Sequence, residues 1–317
     1  MFRMFRRSIL LPATLALLLA STGAQATDKL TLLLDWFINP DHAPLFVAKE
    51  RGYFAAHGLD VEIIAPADPN DPPKLVAAGK ADIAISYQPQ LHVQVAAGLP
   101  LTRFATLIAT PLNTLLVLKD GPVKSIADLK GRKVGYSIGG FEDALLRAML
   151  ARHDLSLNDI TLVNVNFSLS PALLSGQVDA VIGAYRNFEL NQMDIEGHKG
   201  HAFYVEEEGV PSYDELILVA NPERMDRAVL RRFLDALEDG VRYLVNHPDE
   251  SWALFIRGRS ALNDELNRRA WRDTLTRFAL RPAALDRARY ARFAQFMYEQ
   301  GLIPEALSVA DYATILE

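Results

Sequence analysis

Two stretches roughly a hundred residues apart carry one layout: LVAAGKADIAIS from Leu75 to Ser86 and LLSGQVDAVIGA from Leu173 to Ala184. In each, an apolar helical turn ends at a glycine, Gly79 or Gly176, the residue that most readily takes the left-handed conformation that stops a helix. An aspartate, Asp82 or Asp179, then stands at the entry to a short apolar run of strand character. A chance match is the alternative, because helix, glycine and strand follow one another in many α/β proteins. As a true repeat, the pair predicts two similar α/β halves.

The flanking pattern agrees. Leu30 to Leu34, Leu59 to Ile64, Ala81 to Ser86, Lys133 to Tyr136 and Ile160 to Val165 read as strands. Leu45 to His57, closed by Gly58, Lys74 to Ala78, and Phe141 to His153 read as helices between them. Strands alternating with helices predict parallel sheets covered on both faces. Thr114 to Lys119 and Glu215 to Ala220 fit as two strands crossing between the halves. The expected organisation is 27–119 plus 215–317 as a discontinuous first lobe and 120–214 as the second, hinged over a ligand cleft. Beyond Pro222 the chain reads as helical. Val229, Phe233, Leu237 and Val241 recur at four-residue spacing there, and Tyr290, Phe293 and Met297 do much the same, as packing stripes. The arginines at 227, 231 and 232 form either a docking surface or a solvated helix face.

Residues 1–26 have the layout of an export signal: Arg3, Arg6 and Arg7, an apolar run from Ile9 to Ala20, and Ala24-Gln25-Ala26 at the cleavage positions. Cleavage after about Ala26 is expected, the alternative being an uncleaved anchor. The formal charge of −6 becomes −9 when those arginines leave, an acidic balance that argues against nucleic acid as a partner. There is no cysteine, so no disulfide, thiol nucleophile, thiolate metal site or lipid-modified cysteine after the signal. A soluble, monomeric protein retained in a bacterial periplasm is the expectation. His198 and His201 are the closest histidine pair, but no carboxylate is placed as third ligand, and neither a metal nor a cofactor is expected.

Candidate site residues lie where predicted strands end, which is where open α/β sheets bind ligands. Trp36, Asn39 and His42 follow the first strand in a loop stiffened by Pro40 and Pro44. An indole, an amide and an imidazole suit a flat heteroaromatic ligand better than a bare anion; a core tryptophan above a stiff loop is the alternative. Tyr87 and Gln88 follow the first repeat strand. Tyr185, Arg186, Asn187 and Glu189 follow the second. Gly139, Gly140 and Phe141 lead into a helix, with backbone N–H groups free to hold an anion or a ring carbonyl, or simply making a strand-to-helix turn. A buried Glu189 needs donors, which an amino-substituted ring nitrogen system supplies side by side; otherwise it is a surface glutamate in a first helical turn. Stacking on a ring of ~150 Å² contributes about 4 kcal/mol. A micromolar ligand needs about 8 kcal/mol, so several polar contacts must contribute. No nucleophile elbow, zinc-protease motif or Walker loop is present, and binding is a simpler account than catalysis.

LLLDWFINPDHAPLFVAKERGYFAAHGLDVEI, with AAGKADIAIS and YRNFELNQM, resembles periplasmic substrate-binding proteins of the SsuA/THI5-like group over essentially the whole mature chain. The likeness is greatest to binding proteins for thiamine-pyrimidine precursors. It implies a type II periplasmic binding fold, two α/β lobes joined by two crossing strands with the ligand cleft between them. It also implies capture of a formylated or hydroxymethylated aminopyrimidine for the permease of an ABC importer. The ring would lie between aromatic side chains, with a glutamate on its aminopyrimidine edge: Trp36, Tyr185 and Glu189 here, with Asn39 and His42 on the first loop. The family's usual W-x-P-N-T-N-H-T-G departs to WFINPDHAP, and Arg186 stands where an aromatic is common. Arg186 with the Gly139-Gly140 backbone leaves open an alkylsulfonate, nitrate or taurine-like oxyanion, and a flavin is a larger heterocyclic variant. A third reading, the fungal pyrimidine synthase of the same fold, would place Ser86 and Gln90 where that enzyme has its lysine and donor histidine. Its cysteine cluster is absent as well.

Overall fold

The computed structural model describes residues 27–316, so the export-signal reading of 1–26 lies outside the described residues. The chain opens with β1 (Asp28–Leu33), α1 (Ala43–Glu50), α2 (Tyr53–Ala56), β2 (Leu59–Ile64), α3 (Pro72–Ala77), β3 (Ile83–Ser86), α4 (Gln88–Ala96) and β4 (Thr102–Ile108). It crosses to β5 (Asn113–Leu118), then β6 (Lys133–Tyr136), α5 (Glu142–Ala151), β7 (Thr161–Asn164), α6 (Leu169–Leu174), β8 (Ala180–Tyr185), α7 (Glu189–Ile195) and β9 (Gly200–Tyr204). It returns through β10 (Leu216–Ala220) into α8 (Arg227–Asn246), α9 (Pro248–Phe255), α10 (Glu265–Thr274), α11 (Arg287–Glu299) and α12 (Val309–Tyr312).

Two five-stranded sheets result, ordered β2-β1-β3-β10-β4 and β7-β6-β8-β5-β9. In each, three parallel strands carry the βαβ crossovers, and the fourth strand in the order runs antiparallel to its neighbours. The architecture is two α/β lobes of the type II binding-protein kind, the chain crossing between them twice.

The repeated phrase occupies the same place in both sheets, and its aspartate has a structural reason. Thr31 N–H donates to Asp82 Oδ2 at 2.7 Å, and Asp82 N–H donates to Thr31 O at 3.1 Å. Lys133 N–H donates to Asp179 Oδ2 at 3.0 Å, and Asp179 N–H to Lys133 O at 2.8 Å. The same clasp therefore fixes β3 against β1 and β8 against β6, one residue before the ladder starts at Leu32 with Ile83 and at Val134 with Ala180. Gly79 and Gly176, at φ +69° and +73°, supply the left-handed turn that precedes it. β3 is buried along its whole length and β8 along all but its last residue, so neither strand has a solvent face to set its register, and the clasp pins the pairing at its first residue.

Several boundaries differ from the sequence reading. The strand at 113–118 pairs with β8 and β9 in the second sheet, so the crossing between the sheets precedes it, between Ile108 and Asn113. Helix 45–57 is two helices, parted by Gly52 at φ +73°. Strands β4 and β9 had no counterpart in the sequence reading. Arg103 and two threonines hide the buried character of β4; its guanidinium is sequestered by Thr106 Oγ1 at 2.7 Å and by the carbonyls of Pro282 and Ala284. β9 is an edge strand whose side chains are mostly half-exposed, so its pattern is weak.

The two crossings are fastened by a single side chain. Glu215, fully buried, accepts the N–H groups of Leu112 and Asn113 at 2.6 and 2.9 Å and the Tyr213 hydroxyl at 3.1 Å. Burial pushes its carboxyl up to about 7 despite those donors. In the tail, Phe233, Leu237 and Val241 are buried, with Phe233 stacked on Phe54 at 5.1 Å. Arg227 and Arg231 hydrogen-bond the C-terminal segment, and Arg232 binds Asp28 and the carbonyl of His57. These arginines hold the fold together rather than standing free. No helix of the described residues is long and apolar enough to cross a membrane.

Candidate functional site

A pocket lies where the carboxyl ends of β1, β3, β6 and β8 converge, the place where open α/β sheets bind ligands. The first lobe contributes Asp35, Trp36, Asn39, Asp41, His42 and Tyr87; the second contributes Ile138, Phe141, Glu142, Leu169, Gly183, Tyr185, Phe188 and Glu189. Contacts across the gap close it. Tyr87 stacks on Phe141 at 4.6 Å with the rings 9° from parallel. Trp36 meets Phe167 edge-on at 4.6 Å. Asn70 donates to Ser137 O at 3.2 Å and accepts the Gly139 N–H at 3.1 Å. Asn187 and Thr274 both donate to Asp41 Oδ1, at 2.6 and 2.9 Å.

The first wall is organised by the loop after β1. Asn39 caps the turn Pro40–His42, its Oδ1 accepting from Asp41 N–H at 2.8 Å. Asn39 N–H donates to His42 Nδ1 at 3.3 Å, so the ring proton sits on Nε2, which donates to Asp35 Oδ1 at 2.9 Å. The other oxygen of Asp35 accepts the Tyr87 hydroxyl at 2.7 Å. Asp35 is thus fully partnered, and His42 is completely buried behind it. His42 positions the wall more than it meets a ligand. Asp41 is less settled: burial pushes it up to about 6, and its Oδ2 has no partner.

The second wall repeats one device. Glu142 and Glu189 are each the first residue of a helix that follows a strand, and each folds back to take a backbone N–H at its strand's end. Ser137 N–H donates to Glu142 Oε2 at 2.7 Å; Tyr185 N–H donates to Glu189 Oε2 at 2.6 Å. Burial pushes Glu142 up to about 8 and Glu189 up to about 7, opposed only by backbone amides. Among the described residues, no lysine or arginine lines the cavity. Two acids held without a cation are a poor environment for an anion and a good one for a ligand bringing N–H or O–H donors.

Of the residues expected from sequence, Trp36, Asn39, His42, Tyr87, Phe141, Tyr185 and Glu189 line the cavity. Gln88, Gly139, Gly140 and Asn187 do not. Gln88 is buried beneath, its Oε1 accepting the Asp214 N–H at 2.9 Å. Asn187 is engaged by Asp41 and Thr274. The Gly139 and Gly140 amides, expected to be free for an anion, donate to Asn70 Oδ1 and to Asp143 Oδ1 at 2.6 Å. Arg186 is held in a two-pronged pair with Glu206 at 2.6 and 2.8 Å and lies over Tyr204 at 4.3 Å. Asp41, Leu169 and Gly183 were not expected at the site, while Asp35, Ile138, Glu142 and Phe188 stand in the strand-end loops read from the sequence without having been given a role there. The equivalence of Glu142 to Glu189, a glutamate opening the helix after a strand-end turn, was a signal present in the sequence. His201 packs edge-on against Phe203 in β9, and among the described residues no cluster of His, Cys, Asp or Glu could hold a metal.

Comparison with known proteins gives a consistent grouping. A family model described as NMT1/THI5 like matches residues 39–251. A Haemophilus influenzae protein named for thiamine biosynthesis is 55% identical over 293 residues, 92% of this chain and 93% of that one. The formylaminopyrimidine-binding protein of Halalkalibacterium halodurans is 35% identical over 241 residues, 75% of this chain and 73% of that one. A Saccharomyces cerevisiae 4-amino-5-hydroxymethyl-2-methylpyrimidine phosphate synthase is 28% identical over 263 residues, 76% and 74% of the two chains. Among solved structures, the alkanesulfonate-binding protein SsuA from Xanthomonas axonopodis superposes with a TM-score of 0.72 at 17% identity, over 92% of this chain and 100% of that one, a likeness of fold.

Proposed function

The chain belongs to the NMT1/THI5-like family, and from that premise we propose that it is a periplasmic binding protein for a thiamine-precursor aminopyrimidine, of formylaminopyrimidine or hydroxymethylpyrimidine type. It delivers that ligand to the permease of an ABC importer. The carrying observation is the second wall: Glu189, buried and without a cation, beside the aromatic faces of Trp36 and Tyr185. A carboxyl titrating near neutrality pairs with an aminopyrimidine edge in either protonation state. Neutral, it donates to the ring nitrogen and accepts from the amino group; ionised, it accepts two donors from the protonated ring. The lobe division that goes with this reading puts the hinge at 109–112 and 205–215, where Glu215 joins the crossings.

The oxyanion alternative loses its donors, since the Gly139 and Gly140 amides and Arg186 are all engaged within the protein. The synthase alternative lacks an amine at the shared position. Ser86 stands there, buried, donating to Gln90 Oε1 at 2.8 Å. A thermal-shift and calorimetric screen of the mature protein against formylaminopyrimidine, 4-amino-5-hydroxymethyl-2-methylpyrimidine, alkylsulfonates, nitrate and riboflavin tests this reading. Stabilisation by the pyrimidines alone is expected. Stabilisation by a sulfonate, with no response to millimolar pyrimidine, would overturn it. An absorbance band of a pyridoxal phosphate Schiff base on mixing would favour catalysis instead.

A further inference from the structure

Glu142 has no role in the recognition argued above, yet the fold makes room for it. Gly183, within β8, has φ +100°, and a Cβ there would fall inside contact distance of the Glu142 carboxyl. The second repeat therefore carries a glycine in mid-strand, where one normally weakens a strand, directly beneath a buried acid. Among the described residues, the donors to that acid are backbone amides of its own turn, and the charged groups acting on it, Asp143 and Glu215, are both acidic. Glu142 lines the cavity and is only 3% exposed. It lies at the level of Gly183, whereas Glu189 is anchored at the Tyr185 amide, two residues or about 6.6 Å farther along the same strand. That separation is greater than the spacing of neighbouring donors on one ring edge, so the two acids meet different parts of a ligand.

We propose that Glu142 is a specificity-determining residue that accepts a hydrogen bond from an O–H or N–H on the ligand's ring substituent while Glu189 holds the aminopyrimidine edge. This rests on the aminopyrimidine reading. The site then selects a pyrimidine bearing both the ring amino group and a hydroxymethyl or amide-type N–H arm, and rejects one whose arm is a bare alkyl group. A polar group built to pair with a ligand donor discriminates strongly against the analogue lacking it, because the protein group is left unpaired.

Titration calorimetry with two probes tests the assignment: 4-amino-5-hydroxymethyl-2-methylpyrimidine and 4-amino-2,5-dimethylpyrimidine, which differ by one hydroxyl. The unsubstituted protein should prefer the hydroxymethyl compound by about tenfold or more. In Glu142→Gln, which keeps the acceptor for Ser137 N–H, and in Glu142→Asp, which withdraws the carboxyl, that preference should fall close to unity. Glu189→Gln should weaken both probes alike and preserve their ratio. Equal losses for both probes in the Glu142 variants, or an unchanged ratio, would overturn the role given to Glu142 and leave the aminopyrimidine reading intact. Failure of both probes to bind the unsubstituted protein would overturn that parent reading itself.

Discussion

The two walls of the cleft are both acidic, but their acids are kept in different ways. On the first, Asp35 is bracketed by His42 Nε2 and the Tyr87 hydroxyl. On the second, Glu142 and Glu189 each take a backbone amide and otherwise face the cavity. A partnered buried acid belongs to the scaffold, because removing it strands its donors. An acid held only by its own turn is a receptor awaiting donors from elsewhere. The difference assigns Asp35 to shape and the two glutamates to recognition.

The sharpest way to break that contrast is at Asp35. Asp35→Ala should lower stability by about 3 kcal/mol or more, since the buried His42 ring and Tyr87 hydroxyl lose their shared acceptor. A urea denaturation midpoint close to that of the unsubstituted protein would place Asp35 among the receptors instead. Next comes Glu189→Gln, which keeps the acceptor for Tyr185 N–H. It should weaken aminopyrimidine binding by about 2 kcal/mol, roughly thirtyfold, with the melting temperature of the ligand-free protein unchanged or raised. A large drop in that melting temperature would return Glu189 to the scaffold.

How much of this was legible beforehand follows the same divide. The repeat and its glycines are local signals, and they announce two similar α/β halves, whereas β4 and β9 left no such mark. The aromatic and acidic residues at strand ends, Trp36, Tyr87, Phe141, Tyr185 and Glu189, were found because strand ends are where such sheets bind. What failed was partnership. Nothing local announces that Asn187 bonds to Asp41, 146 residues away, or that Asn70 takes the Gly139 amide from the other lobe. The sheet membership of Asn113–Leu118 failed for the same reason, since an antiparallel crossing strand looks alike from either side.

The contrast also has a pH signature. Burial holds Glu142 near about 8 and Glu189 and Glu215 near about 7, all above the 4.5 of an exposed glutamate. The folded protein therefore keeps protons that the unfolded chain has released. Stability is highest near or below pH 4.5 as far as these groups are concerned, falls as pH rises through 7 and 8, and is level above that. Between pH 5.5 and 8.5 the melting temperature should drop by on the order of 5 °C, and Glu142→Gln should flatten the upper part of the fall. A melting temperature that rises over this window would mean that the second wall is neutralised by partners after all.

The smallest effect expected is at Arg186, and it is informative for that reason. Arg186 follows Tyr185 in sequence and was the natural candidate for an oxyanion, yet it does not line the cavity, and its guanidinium is held by both oxygens of Glu206 and lies over Tyr204. The carboxylate is about a third exposed, so solvent screens the pair, and such pairs contribute about 0 to 1 kcal/mol. Arg186→Ala should leave aminopyrimidine affinity within about threefold and barely move the melting temperature. If affinity instead collapsed and became strongly dependent on salt, a cation would be acting in recognition, and the division of labour between a shaping aspartate and two recognising glutamates would no longer hold.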